Sequence, residues 1–407
     1  MMRKTGIAAL CFGFSWMVLP DLGRAQSDLP PAKIVRSLQF VQDSVVRGDH
    51  AAREMQKYLL ETIDTSLRTA DTSIFSDSKN ADAALTYIMS GGNPATLDYL
   101  LARDVQGHFD SRITNVLQKY FNGRGAQIEK IVADLIPEYR NGVLGPYLML
   151  IAGNIAINRD PAPSLTFFDD ARLSAPGTII EEAALRRSIV ATMQAKQPEK
   201  ALIYLRKYAV RFIHSPYASQ FADLFVSFAV DNYGVASNDH IAEITALMDD
   251  ERAEEIYLRI ARQASLRGQT ELARFATEEA QALLPQTGDV ARASLSKLYS
   301  GLATVSSDAV SSARESLANI PNEELSPRDL ALRDAAKSIA DQIMREPVAG
   351  AAAPADPESP SADSAAEAPI ATAVAQTGSS ADAPMVDFFD KSRARLNEID
   401  TLLKKEE

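Results

Sequence analysis

The chain has 407 residues but one cysteine, one tryptophan and four histidines. Cys11 and Trp16 both fall within the first 25 residues. The remainder therefore has no thiol chemistry and no disulfide, and must hold its fold by packing. Beyond the N-terminus no apolar run approaches the ~18 residues a membrane helix needs. Bases are outnumbered, 42 Lys and Arg against 54 Asp and Glu, for a net charge of −12. Such a balance argues against nucleic acid and anionic membrane surfaces, where affinity rests on clustered cations. The histidines, His50, His108, His214 and His240, are scattered. None has a partner at a zinc spacing beyond the lone pair His240 and Glu243, so no metal or cofactor is expected. Nucleophile-elbow, P-loop and dinucleotide-binding motifs are missing. "NGRGAQ" (122–127) reads as a turn.

Glu315-Ser316 is the dipeptide that soluble lytic transglycosylases use, which leaves a peptidoglycan-cleaving enzyme as one reading. No lysozyme-like region follows it, and nothing suggests a cleft that would raise a carboxyl pKa. The chain is expected not to be an enzyme.

What is present begins with a leader. Arg3 and Lys4 precede the apolar run Gly6–Leu19, and Gly23-Arg24-Ala25 supplies small residues for cleavage. A secretory signal peptide over 1–25 is expected. Its removal takes three bases and one acid, moving the net charge from −12 to −14. Export points to a bacterial periplasm. At the other end, residues 346–390 carry eight acids and no base, in Ala, Pro, Ser and Asp. A disordered linker is predicted over 346–386. Residues 387–407 recover a helical pattern, with Phe389, Leu396 and Leu403 seven apart, and are predicted to form a short amphipathic tail helix. Such a helix needs a surface to dock on, either the protein's own body or a partner.

Between these ends, apolar stripes recur at helical spacing, and no strand pattern is visible. Ile34, Leu38, Val41 and Val45 share one face, and Met55, Leu59, Ile63 and Leu67 the next. Gly91, Gly92 and Pro94 mark a turn and a helix start. An N-terminal helical domain is expected over 28–140 and a repeat domain over 141–345. In the latter, small, large, small and Pro recur at offsets 0, +4, +7 and +12. Ser164, Phe168, Ala171 and Pro176 fit, and Ala273, Thr277, Ala280 and Pro285, and Ala309, Ala313, Ser316 and Pro321, fit except that the large site holds Thr277 and Ala313. Ala201, Leu205 and Tyr208 fit with the proline displaced to Pro216. The period is about 36 residues, with one degenerate unit near Ser237, and it is similar to the second helix of a tetratricopeptide repeat. The predicted fold is all-α: stacked helical hairpins, a tetratricopeptide-like α-solenoid.

In "RFIHSPYASQF" (211–221), a His, two Ser and a Tyr crowd together. They read as punctuation between helices, with Ser215 as cap and Pro216 at the first helical position. Thr178 with Glu181, and Ser326-Pro327 with Asp329, read as capping boxes. Arg186 and Arg187 lie on the first helix of one hairpin, and Arg206, Lys207 and Arg211 on its second. They form either a solvated basic face or a docking site for an acidic partner or the acidic linker.

Four stretches carry a family likeness: "LPPAKIVRSLQFVQDSVVRGDH", "SGGNPATLDYLLARD", "EEAALRRSIV" and "RFIHSPYASQFADLFVSF". They resemble the MotC family of periplasmic flagellar motility proteins of rhizobia and related α-proteobacteria, over residues 29–345. The resemblance implies a component needed for flagellar rotation, acting on the stator through the periplasmic region of MotB, with no catalytic residue to carry over. The residues alone leave a second reading, a general periplasmic repeat adaptor in envelope assembly.

Overall fold

The computed structural model describes residues 29–287, 290–305 and 309–345. The predicted leader, acidic linker and tail helix, with Phe389, Leu396 and Leu403, lie outside the described residues. The chain divides into two units, 1–340 and 341–407, and the helical body belongs to the first.

Among the described residues there are seventeen α-helices and no strand. They are α1 (Pro31–Val46), α2 (Ala52–Thr69), α3 (Ser78–Met89), α4 (Pro94–Arg103), α5 (Ser111–Phe121) and α6 (Glu129–Tyr139). Next come α7 (Gly145–Ala156), α8 (Pro161–Ser174), α9 (Ile179–Gln194), α10 (Pro198–Phe212), α11 (Ala218–Asp231) and α12 (Asn238–Thr245). The last are α13 (Asp250–Leu266), α14 (Thr270–Thr287), α15 (Val290–Thr304), α16 (Val310–Ala318) and α17 (Pro327–Ile343), which ends in the second unit.

The starts follow from local chemistry. Proline opens α1, α4, α8, α10 and α17, where its missing N–H costs nothing. Asp110, Asn93 and Asp249 each accept a hydrogen bond from the first-turn backbone of the helix that follows. Ser326 and Asp329 form the expected capping box: the Asp329 N–H donates to Ser326 Oγ at 3.2 Å, and Ser326 Oγ donates to Asp329 Oδ2 at 2.6 Å.

The expected box at Thr178 is not made. Thr178 Oγ1 turns back to donate to Ala175 O, and Glu181 accepts instead from Gly177 N–H. The first N–H of α9, on Ile179, donates to Asp43 Oδ1 of α1 at 3.1 Å. A side chain 136 positions away thus caps the helix. Burial raises the Asp43 pKa, against the opposing pull of this bond and of Arg47.

Most successive helices pack on one another, though α12 does not pack closely on α11 or α13, nor α17 on α16, and the odd-numbered helices α7, α9, α11, α13 and α15 also pack each on the next odd one. The even-numbered ones carry the repeat residues read from the sequence. Ser164, Phe168 and Ala171 on α8, Ala201, Leu205 and Tyr208 on α10, and Ala273, Thr277 and Ala280 on α14 are all buried. The last unit keeps less of this, since Ala313 is buried while Ala309 and Ser316 are exposed. Short α12 sits where the pattern degenerates.

One hydrophobic core runs through the helices on both sides of Arg140. Tyr147 of α7 accepts hydrogen bonds from Gln39 of α1 and from Ser90, both at 3.1 Å. The α1–α2 turn meets the α10–α11 turn at Gly48, whose φ of +104° suits glycine. A Cβ there would stand 2.9 Å from His214 Cβ. The His-Ser-Tyr cluster is a seam: Ser215 Oγ accepts from Tyr217 N–H at 3.2 Å, and regular helix resumes at Ala218, two residues beyond the expected start. Beneath it Tyr208 stacks on Phe221, with ring centroids 4.5 Å apart.

A polar network ties α5 to α6. Asp110 accepts from Arg112 and, at 2.7 Å, from the Tyr139 hydroxyl, while Arg112 also pairs with Glu138. The Arg112 hydrogen bonds hold the Asp110 carboxyl far below the usual carboxylate range. Burial, then the Asp110 carboxylate, pushes Tyr139 up to about 12. A depressed acid stabilises the fold above its unfolded pKa of about 4 and ceases to do so as pH falls through the folded value. Asp110→Asn is therefore expected to melt lower than the parent at pH 7, with a gap that narrows steadily toward pH 2. A gap independent of pH in calorimetry would contradict this.

Candidate partner-binding surface

Polar side chains link corresponding positions of successive hairpins, at separations that match the repeat period. Asn154 to Tyr120 and Arg186 to Gln220 span 34 residues, Tyr204 to Asp169 spans 35, and Arg259 to Asp223 spans 36. On the odd-numbered helices these bonds form a polar ladder. Tyr120 of α5 bonds Asn154 of α7, Arg186 of α9 bonds Gln220 of α11, and Asp223 of α11 pairs with Arg259 of α13.

The five cations singled out from sequence are placed differently from one another. Arg186 is held by Glu182 at 3.1 Å and by Gln220 at 2.6 Å, with its guanidinium over the Tyr217 ring. Arg206 pairs with Glu243 of α12. Arg211 reaches back to Glu181 at 2.8 Å. Exposed Lys207 lies over the Tyr204 ring. Only Arg187 of the five has neither a carboxylate nor an aromatic face. It is partly buried and makes no hydrogen bond or ion pair among the described residues. Burial lowers its pKa, the neighbouring Arg186 lowers it further, and Tyr120 opposes them.

Arg186 faces α11 through Gln220. Sequence reasoning had no signal for Tyr120 and Asn154. They lie 33 and more residues from Arg187, and only the repeat period, applied to the first helix of each hairpin, would have aligned them.

Other candidates are occupied by local structure. His240 Nδ1 lies 3.1 Å from Ser237 Oγ and 3.0 Å from Val235 O, in the cap of α12, and Glu243 is taken by Arg206. Among the described residues no group of three His, Cys, Asp or Glu could hold a metal ion, and no helix is long and apolar enough to cross a membrane. Glu315 stands exposed on α16.

The family described as chemotaxis protein MotC matches residues 1–407. A chemotaxis protein MotC of Rhizobium meliloti (strain 1021) is 47% identical over 406 residues, which is 93% of each chain. No solved structure matches the chain. With a family match over residues 1–407 and a relative 47% identical over 93% of the chain, this chain belongs to the MotC family of chemotaxis proteins.

Proposed function

We propose that the protein is a non-enzymatic, periplasmic part of the flagellar motor, required for rotation, which acts on the stator by binding the periplasmic region of MotB. The observation that carries this reading is the whole-chain family match. The helix order supports it: hairpins whose first helices stack in a row form a tetratricopeptide-like solenoid, and such a row offers one long face to a partner. The basic leader and apolar run support export. Residues 28–140 and 141–345 form the two parts of this body, and the acidic segment 346–386 tethers an amphipathic helix that adds a second contact.

Deleting the gene should leave flagellated cells that do not swim and have a normal envelope. Purified full chain should co-purify with the periplasmic region of MotB from the same cell. A deletion strain with envelope defects and normal swimming would favour the general adaptor in envelope assembly instead.

A further inference from the structure

The first hairpin carries a groove that opens to solvent. It lies between α1 and α2 and has a volume of about 500 Å³. Buried Leu59 and half-buried Val41 line it, and Phe40 and Met55 stand exposed at its edge. Lys33 and Arg36 line it as well. Lys33, Arg36 and Phe40 fall at i, i+3 and i+7 of α1, so they share one face and span about 10 Å. The groove thus runs from a basic end to an apolar end.

Two features set this place apart. Phe40 is 68% exposed and Met55 49%, and both border one cavity. Scattered apolar residues on a surface are ordinary, but a joined patch of Phe and Met rimmed by charge has the composition of a protein-binding site. The cations are the second feature. The side chains of Lys33 and Arg36 make no hydrogen bond or ion pair among the described residues. Elsewhere on the body, Arg206, Arg211, Arg259 and Arg267 each pair with a carboxylate from another helix. The chain carries a net charge of −12, yet no acid lines the groove.

We propose that this groove binds an acidic amphipathic helix of a partner protein. A Leu or Phe of that helix enters between Phe40 and Met55. Asp or Glu residues four and seven positions away reach Arg36 and Lys33, matching the spacing that α1 presents. Shape and charge favour this occupant over others. The groove is too open to engulf a small molecule, whose pockets cover most of its surface. A second copy docked α1 to α1 about a two-fold axis at Phe40 would set Lys33 against Arg47, cation against cation. The one acid of α1, Asp43, is held by the Ile179 N–H. An anionic bilayer suits neither a concave patch nor a chain of this net charge. The site rests on the reading of the chain as a partner-binding component and supplies one surface and its recognition chemistry.

The test follows Met55 itself. The full chain, labelled with 13C-methyl methionine, is titrated with alanine-based helical peptides of about 16 residues, long enough to hold a helix. Each carries one Leu and two Glu, four and seven positions from it. One peptide has the Glu pair before the Leu and the other after it, for the two directions a helix can take in the groove. One of them should shift the Met55 methyl signal saturably, the signal being assigned by its loss in Met55→Leu. Replacing the Glu pair by Lys should weaken binding about tenfold, and Lys33→Glu with Arg36→Glu should reverse that preference. Phe40→Ala should also weaken binding about tenfold, with little change in melting temperature because the ring is exposed. No saturable shift with either peptide, equal binding of the Lys peptide, or an unreversed preference in the double variant would overturn the proposal. So would a Met55 shift on dilution of the chain alone, which assigns the groove to a second copy. A Met55 shift caused by Phe389→Glu without peptide would give it to the chain's own tail, and saturation by phosphatidylglycerol vesicles alone would give it to a membrane; either overturns the proposal. If a peptide binds and the periplasmic region of MotB does not, the groove stands and the motor partner is wrong. The reverse result removes the groove alone.

Discussion

Gly153→Ala is expected to lower the stability of the full chain by about 1–3 kcal/mol, the usual effect of forcing a methyl group into a packed core. The sign is informative, because alanine at an unhindered helix position would stabilise by about 1 kcal/mol relative to glycine. Gly153 lies on α7 against Phe168 of α8, and an added Cβ would stand 2.6 Å from Phe168 Cδ1 and 2.9 Å from Cζ. The ring cannot swing into solvent, since Phe168 is 0% exposed. It is also the large residue of its repeat unit, so the glycine sets how closely the two helices of that hairpin approach. Phe168→Leu alone should also destabilise, by leaving a cavity. Combined with Gly153→Ala it should cost less than the sum, with a coupling of about 0.5–3 kcal/mol typical of contacting residues. Urea unfolding of the four proteins measures this. A stabilised Gly153→Ala, or strict additivity, would show that the contact does not limit the approach.

The same pair shows what was legible in the sequence. Phe168 announced itself, because a large residue flanked by small ones at the same offsets recurs at Leu205, and Phe168, Leu205 and the corresponding Thr277 are all buried on even-numbered helices. Gly153 did not, because one glycine in an apolar helix carries no periodic signal. Local caps such as Ser326 with Asp329 could be read because both partners lie within one turn. The cap on α9 could not, since its acceptor Asp43 comes from α1, and the nearby Thr178 and Glu181 offered a false local answer. For the surface, sequence found the arginines but not their partners. Charge runs are visible in one dimension, and Glu182 stands one turn before Arg186 on the same helix, but neutralisation by Glu181 and Glu243 requires the fold to bring other helices alongside. That is why the partners of Arg206 and Arg211 were not legible.

Glu182→Ala is expected to be the more damaging substitution, at about 3–5 kcal/mol, the cost of leaving one member of a buried ion pair behind. Glu182 is 0% exposed. It accepts from Arg186 Nε at 3.1 Å and Nη2 at 3.3 Å, and from the Tyr208 hydroxyl at 2.7 Å. Without it, Arg186 keeps only the neutral Gln220 and Tyr217 ring as company, and the buried Tyr208 hydroxyl loses its acceptor. Burial pulls the Arg186 pKa down, yet Glu182 more than offsets this and leaves it raised. Removing the carboxylate therefore exposes the desolvation it was balancing. Glu182→Gln should fall between the parent and Glu182→Ala, because its amide oxygen still accepts from Tyr208. Glu182→Leu with Arg186→Met should recover most of the loss, since apolar residues of similar volume replace buried ion pairs at little cost. If the double variant is as unstable as Glu182→Ala, the network's value lies in hydrogen bonds to Tyr208 and Gln220 that no apolar pair can replace, and the anchoring of α9 to α10 and α11 is polar throughout.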